Sequence, residues 1–340
     1  MPRNLGKRNR SPELSPELST ELSDSFRDSS VDSLEDSSGD EFVYRLDADI
    51  LINKSFTLYR CTPLYKFDLS NLLQYAKEIK KFFEGQVTGI LPFDSKLDEH
   101  ENINMLKELK ERKVTDVVIS RINVPNWNDS NNLPIGIEIK FRFKKSSTEQ
   151  KFHIMLFPSI SHGDDTKNGL SFSHYPLILI KAPQRITTIF VEWFQRQFDC
   201  RICRYYLESS NLKNIIEEWT NLVFNQDLPS SPSVSRQTEL TYSIPNISEI
   251  KNITLRISFE DTKRLYNSII QKDAEQTSNI MEGIENHFFH CLRIKFTSLI
   301  LSKISTNVGH VTCDGKLKLF KVYSSHLTAS FLEKLVIAAQ

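Results

Sequence analysis

The sequence predicts an α+β fold: curved, largely antiparallel β-sheets with helices packed on one face, preceded by a disordered N-terminal tail. Three observations carry that prediction. Residues 135–144 set Ile135, Ile137, Ile139, Phe141 and Phe143 against Glu138, Lys140, Arg142 and Lys144, the two-residue period of a half-buried strand. Asp314-Gly315 lies between two apolar-alternating runs and signals a hairpin, because a two-residue turn wants positive φ at both positions. Strands also come in runs joined by hairpins, with helices grouped between them, which is not the strand–helix alternation of a parallel sheet.

The tail comes first. Ser11-Pro-Glu-Leu, Ser15-Pro-Glu-Leu and Ser19-Thr-Glu-Leu repeat a tetrapeptide, and residues 1–40 hold five basic side chains, nine acidic ones and ten serines. So few apolar residues cannot offset the entropy of ordering, and residues 1–41 are predicted to be disordered. Ser11 and Ser15 precede prolines, while Ser25, Ser33 and Ser37 stand three residues before an acid; these five are the candidate phosphorylation sites. Each phosphate would add about −1.5 to −2 charges to a segment already acidic. Lys7-Arg8-Asn9-Arg10 reads either as a nuclear-import signal or as a solvated charge cluster.

Folded structure is predicted from Phe42. Residues 56–61 are β-branched and aromatic, a strand that stops at Pro63, and Tyr65 and Phe67 lead to a helix over 69–83 capped by Asp68 or Ser70. That helix carries Leu69, Leu72, Leu73, Ala76, Ile79 and Phe83 on one stripe and Lys77, Lys80, Lys81 and Glu84 on the other. Strands follow over 114–122, 135–144, 152–157 and 177–181, then helices over 186–198 and 211–224. The Pro/Ser run 228–235 marks a boundary, dividing an N-terminal α+β region, 42–235, from a C-terminal one, 236–340. The second region reads as a strand (253–259), two helices (261–271 and 278–291), three strands (292–302, 307–313 and 316–323) and a closing helix (325–339).

At 340 residues, with 39% hydrophobic, 25% charged and 10% aromatic residues, the composition is that of an ordinary globular protein with a substantial core. Five scattered cysteines (Cys61, Cys200, Cys203, Cys291 and Cys313) suit a reducing compartment better than a disulfide framework. There is no apolar stretch behind the N-terminal methionine and no run near the roughly 18 apolar residues of a membrane span. The reading is a soluble intracellular protein with no membrane partner. Net charge is zero overall, but the tail is −4 and the remainder +4, so a nucleic-acid role would rest on local patches.

Candidate chemistry is sparse. Cys200-x-x-Cys203 lacks a second ligand pair and reads as structural, and His287, near His290 and Cys291, shares the stripe of Ile280, Ile284 and Phe288, so a packed histidine is preferred to a ligand. There is no Gly-rich phosphate loop with Lys-Ser/Thr, no Gly-x-Ser-x-Gly and no His-Glu-x-x-His. Asp164-Asp165 beside His162 reads as a solvated loop. The sequence thus predicts no catalytic residue, no metal, no cofactor and no small-molecule substrate. Basic stripes are the stronger sign: Lys140, Arg142, Lys144 and Lys145 project opposite Ile139 and Phe141, Arg293 and Lys295 opposite Ile294 and Phe296, and Lys316 and Lys318 opposite Leu317 and Leu319. Such stripes offer cations to a phosphate backbone or form the plain solvent face of a sheet.

Three stretches also resemble a known family. They are Thr-Leu-Tyr-Arg-Cys-Thr-Pro-Leu-Tyr-Lys-Phe at 57–67, continued through Ser70, Asn71, Leu72 and Tyr75; Trp193-Phe194-Gln195 with Phe198-Asp199-Cys200; and Asp314-Gly315-Lys316 with Lys318. In order and spacing they are similar to centromere protein L (CENP-L), a subunit of the constitutive inner-kinetochore network. The resemblance implies a heterodimer with a centromere protein N-like subunit, contacts with centromere protein C and other inner-kinetochore subunits, and a basic passage around DNA beside the CENP-A nucleosome. It implies a nuclear, chromosomal location at the centromere. The alternative is an autonomous, sequence-independent nucleic-acid-binding protein. Family members join centromere protein N through their C-terminal regions, so strand addition at an edge of the last meander is expected, with Phe296, Leu299, Leu301, Leu317, Leu319 and Tyr323 as candidate interface residues.

Overall fold

Leu177, Ile178, Leu179 and Ile180 organise the structure. Leu177 and Leu179 point into one apolar cluster, Ile178 and Ile180 into another, and none is more than 2% exposed. Four consecutive apolar residues are what a strand buried on both faces demands. The computed structural model describes residues 46–88, 112–124, 127, 133–143, 149–160, 172–225, 237–245, 251–272, 279–320 and 325–340. The predicted disordered tail and its five candidate phosphosites lie outside the described residues, as do His162 and the Asp164-Asp165 pair.

In chain order the strands are β1 (Leu46–Asp47), β2 (Ser55–Cys61), β3 (Leu64–Tyr65), β4 (Arg112–Asn123), β5 (Ile135–Phe143), β6 (Glu149–Phe157), β7 (Phe172–Ser173), β8 (Leu177–Lys181), β9 (Ile202–Arg204), β10 (Thr238–Ser243), β11 (Asn252–Ile257), β12 (Ile300–Ser305), β13 (Gly309–Thr312) and β14 (Lys316–Leu319). The helices are α1 (Leu72–Thr88), α2 (Gln184–Phe198), α3 (Ser209–Asn225), α4 (Phe259–Lys272), α5 (Ile280–Leu292) and α6 (Ser325–Ala339). The main sheet runs β1-β4-β5-β6-β8-β2-β14-β13-β12-β10-β11, with β9 also paired to β2 and a separate β3–β7 ribbon. Among the described strands only β1–β4 pairs parallel, with one isolated parallel bridge between Ile52 and Leu319, so the predicted α+β architecture with a largely antiparallel sheet is what the protein has.

Helices cover one face within each half of the sheet, and the two halves use opposite faces. α1 and α2 pack with Ile137, Ile139, Phe141 and Ile154 of β5 and β6. α3 to α6 pack with Leu240, Tyr242, Leu301, Ile304, Val311 and Leu317 of the C-terminal strands. Each fully buried Leu, Ile or Phe contributes about 1.5–3 kcal/mol, which these clusters multiply many times over. Asp68 caps the entry to α1, its carboxylate accepting the Ser70 N–H at 2.9 Å ahead of a 3-10 turn, Leu69–Asn71. The Phe67 ring then stacks on Tyr75 at 5.6 Å and meets Phe198 of α2 at 5.0 Å. At α5, Asn279 and, from α3, Glu217 accept the first N–H groups; the Glu217 carboxylate takes those of Ile280 (3.0 Å) and Met281 (2.6 Å), which ties two helices together.

The regions expected over 42–235 and 236–340 share one sheet, in which Lys316–Lys318 of β14 pair with Ser55–Thr57 of β2. Three other expectations need correction. The strand expected over 292–302 begins only at Ile300, because α5 runs through Leu292 and closes on Arg293, whose φ is 59° and whose N–H bonds Phe289 O at 2.9 Å. Leu292, Ile294 and Phe296 imitate a two-residue period, yet Phe296 opens a 3-10 turn, Phe296–Ser298, and packs on Tyr242 at 5.0 Å, while Leu292 is 49% exposed. The Asp314-Gly315 hairpin is a three-residue loop rather than a two-residue one: Val311 faces Leu317, and only Gly315 has positive φ (74°). His287 is exposed rather than packed, with its Nε2 3.8 Å from Cys291 Sγ.

Candidate nucleic-acid and partner surfaces

The face of β5 opposite Ile139 and Phe141 carries a cluster of charged side chains. Register sets it out in rows: Glu138 of β5, His153 of β6 and Lys181 of β8 lie side by side, and Lys140 lies beside Lys151. Lys54, just before β2, adds a fourth lysine; its pKa is lowered, first by partial burial and then by repulsion from Lys181. His153 is 5% exposed, its Nδ1 stands 3.6 Å from Glu138, and burial followed by the charges of Lys54, Lys181 and Lys151 pushes its pKa down to about 4. It is therefore a neutral imidazole near pH 7. Lys140 is bound to Asp116 at 3.2 Å, which holds its pKa up, and Lys151 lies 3.6 Å from Glu138. Lys54 and Lys181 make no ion pair among the described residues. Four lysines against two carboxylates leave a local surplus of positive charge.

The sequence-predicted cations divide accordingly. Lys140 is on this face but paired, and Arg142 is held by Glu149 at 2.8 Å. Lys144 and Lys145 lie outside the described residues. Arg293 and Lys295 follow α5 in a loop, exposed, and do not form a strand stripe. Lys316 lies 3.4 Å from Asp314, and Lys318 stands over the Phe320 ring at 5.7 Å. Sequence reasoning missed Lys54, Lys151 and Lys181: Lys151 and Lys181 are each the one lysine of their strand and are brought onto one face by register, and Lys54 precedes β2 beside Lys181.

The three motif stretches converge on β2. The first supplies β2 itself. The second ends α2 at Asp199, in the left-handed region (φ 44°), and its Gln195 Oε1 accepts the Ile202 N–H at 2.7 Å, aligning β9 against β2. The third supplies the β13–β14 loop: Leu58 N–H bonds Gly315 O at 2.7 Å, and Arg204 of β9 grips Asp314 through its carbonyl (2.8 Å) and carboxylate (3.1 Å). Although partial burial works the other way, Thr312, Lys316 and Arg204 together hold the Asp314 carboxyl below its usual range. These residues join the halves of the sheet. Among the described residues no group of three or more His, Cys, Asp or Glu side chains is placed to hold a metal.

The last meander offers no free edge among the described strands. β12, β13 and β14 are interior strands, each paired on both sides, so none presents a free edge. Phe296, Leu301, Leu317 and Leu319 are 5% exposed or less, Leu299 is half-buried, and Tyr323 lies outside the described residues. Their apolar surface is satisfied by Tyr242 and by α3, α5 and α6. The strand at the C-terminal end of the sheet is β11, which pairs with β10 alone among the described strands. Ile244 N–H bonds Lys251 O at 3.0 Å, and alternation along the ladder turns the N–H and C=O groups of Asn252, Thr254 and Arg256 outward.

Comparison with known proteins places the chain among centromere proteins. The family model for Centromere protein L matches residues 50–339, and the chain belongs to that family. Centromere protein L of Gallus gallus is 26% identical over 278 residues, covering 79% of this chain and 74% of the relative. That of Homo sapiens is 26% identical over 276 residues, again 79% and 74%. Inner kinetochore subunit fta1 of Schizosaccharomyces pombe is 22% identical over 282 residues, covering 79% of this chain and 89% of the relative. The match takes in all of the main sheet except β1.

Proposed function

We propose that the chain is a non-enzymatic structural subunit of the inner kinetochore. It pairs with a centromere protein N-like subunit, contacts centromere protein C and neighbouring subunits, and helps assemble the kinetochore on centromeric CENP-A chromatin in support of chromosome segregation. The observation that carries this reading is the family match over residues 50–339, which spans both the basic face and β11. A relative named as an inner kinetochore subunit supports it. The test is affinity purification of the tagged full-length chain from mitotic and interphase cells, followed by mass spectrometry. Co-recovery of centromere subunits is expected; recovery without any of them overturns the reading.

DNA contact in this reading is electrostatic and shared with the partner. Lys140 and Lys151 are already engaged with carboxylates, which favours a supporting contact over autonomous DNA binding. Lys54 and Lys181 carry the free charge. Reversing both (Lys54→Glu, Lys181→Glu) is expected to lower the salt dependence of DNA binding by the reconstituted heterodimer by about 1.8, near 0.9 per phosphate contact, equally for unrelated sequences. Reversing Arg142, held by Glu149, changes the slope less. An unchanged slope in the Lys54/Lys181 variant moves the contact away from this face.

A further inference from the structure

At the end of β2 the fold builds a cleft of about 470 Å³ with basic walls. Arg60 and Arg201 both line it, and no aspartate or glutamate is among its described lining residues. Register brings the two arginines together. Arg60 of β2 lies opposite Cys203 of β9, and Arg201 stands two residues before Cys203, on the same face by the two-residue period. Diagonal neighbours of this kind are about 7–8 Å apart, within reach of two long side chains. Thr62 N–H bonds Arg201 O at 3.0 Å and Arg201 N–H bonds Thr62 Oγ1 at 2.9 Å, which extends the ladder beyond both strands and holds the Arg201 backbone in place. The Arg60 guanidinium is held too: it lies over the Tyr205 ring at 4.2 Å and gives an N–H to Ala338 O of α6 at 2.7 Å. That uses one of its five donors. Arg201 makes no ion pair among the described residues, and the Thr62 O–H is left to donate.

We propose that this cleft binds the chain's own acidic segment Asp32–Asp40 once Ser33 and Ser37 are phosphorylated, with the phosphates held by Arg60 and Arg201. A protein kinase supplies each phosphoryl group, transferred from ATP to the serine oxygen with release of ADP and the hydroxyl proton. Charge selects the segment. Asp32, Glu35, Asp36 and Asp40 give it four carboxylates and no base, whereas Ser11 and Ser15 follow the basic run Lys7-Arg8-Asn9-Arg10. Two phosphates add about −3 to −4 more. Guanidinium forks take phosphate oxygens in pairs, and a fork already ordered by Tyr205 and Ala338 loses little freedom on binding. Reach agrees with charge. Leu46 of β1 and Arg60 of β2 lie along one row that passes through Ile122, Phe157 and Leu177. The five strand spacings between them, at about 4.8 Å each, amount to about 24 Å. Ser33 stands 13 residues before Leu46. Over that length a chain without fixed structure, which the sequence predicts here, spans about 20 Å on average and about 43 Å at full stretch. Tether and gap match, which is the condition for a high effective concentration.

The test titrates the unphosphorylated full-length chain with a fluorescent peptide of residues 30–42 carrying phosphoserine at 33 and 37, read by polarisation. The phosphopeptide is expected to bind about tenfold or more tightly than its unphosphorylated counterpart, and Arg201→Gln to weaken it about tenfold or more. Arg201→Gln is the deciding variant, because Arg60→Gln also releases Ala338 of α6. The double variant Lys54→Glu, Lys181→Glu, on the other basic face, leaves binding within about twofold. A full-length chain that itself carries phosphoserine at 33 and 37 is expected to bind the peptide about tenfold more weakly, its own segment filling the cleft. Equal affinity for the two peptides, undiminished binding by Arg201→Gln, or a loss in the Lys54/Lys181 variant instead would each overturn the cleft as the site. Full-strength binding by the phosphorylated chain would overturn the intramolecular occupant and give the cleft to a phosphorylated segment of another protein.

Discussion

Replacing Gly315 by alanine is expected to destabilise the protein by about 3 kcal/mol or more, lowering its thermal midpoint by about 5 °C or more. Gly315 sits at φ 74° in the β13–β14 loop, and a Cβ there would lie 2.2 Å from the Tyr205 carbonyl oxygen, which is backbone and cannot swing away. The left-handed conformation alone costs an alanine about 1–2 kcal/mol. Relieving the overlap means moving the loop off β9, which strains the Leu58 N–H to Gly315 O bond (2.7 Å) and the grip of Arg204 on Asp314. Two contributions are separable by Gly315→Asn. Asparagine tolerates the left-handed region but still carries a Cβ, so if the clash dominates it should unfold almost as readily as alanine. Full rescue by asparagine would show that φ, not the approach to Tyr205, sets the requirement. Chemical denaturation of the three proteins measures the difference.

That loop also shows where the sequence was readable and where it was not. Asp314-Gly315 announced a hairpin, but loop length depends on the register of Val311 against Leu317, which no dipeptide encodes. β5 was legible because nine residues keep one period, and β8 because four consecutive apolar residues mark a strand buried on both faces. β9 was not: three residues, Ile202–Arg204, are a strand only because Gln195 and Thr62 hold them along β2. β10 had a signal, Leu240 and Tyr242 alternating with Glu239 and Thr241, next to a Ser/Pro run that drew attention to a boundary instead. The basic face was half legible. Lys140 and Arg142 are visible as a stripe, but their neutralisation by Asp116 and Glu149 depends on cross-strand partners. The free charges, Lys54 and Lys181, come from segments more than a hundred residues apart. The edge expected at the last meander was misread for a related reason. Apolar strands at the end of a chain look like an edge, and nothing local reveals that β14 closes onto β2.

Partner binding is expected to fall about tenfold to a hundredfold in Thr254→Pro, roughly 1.4 to 2.8 kcal/mol, with little change in the stability of the isolated chain. The argument rests on which way the backbone of β11 points. Thr254 belongs to a pair whose N–H and C=O face away from β10, so proline there removes no backbone hydrogen bond of the sheet, only the exposed contact between the Thr241 and Thr254 hydroxyls (3.2 Å), and an edge strand accepts proline in that position. A partner strand added to β11 would lose that N–H and meet the pyrrolidine ring, which holds neighbouring backbone apart. Leu255→Pro makes the contrast. Leu255 is 5% exposed and its N–H points inward to Leu240, so the same substitution one residue along costs a ladder bond and a core side chain and should unfold the end of the sheet. Calorimetric titration with the centromere protein N-like partner, alongside denaturation of each variant alone, separates the two effects. If Thr254→Pro binds with undiminished affinity, strand addition at β11 is wrong, and the heterodimer must use a face of the molecule rather than its edge.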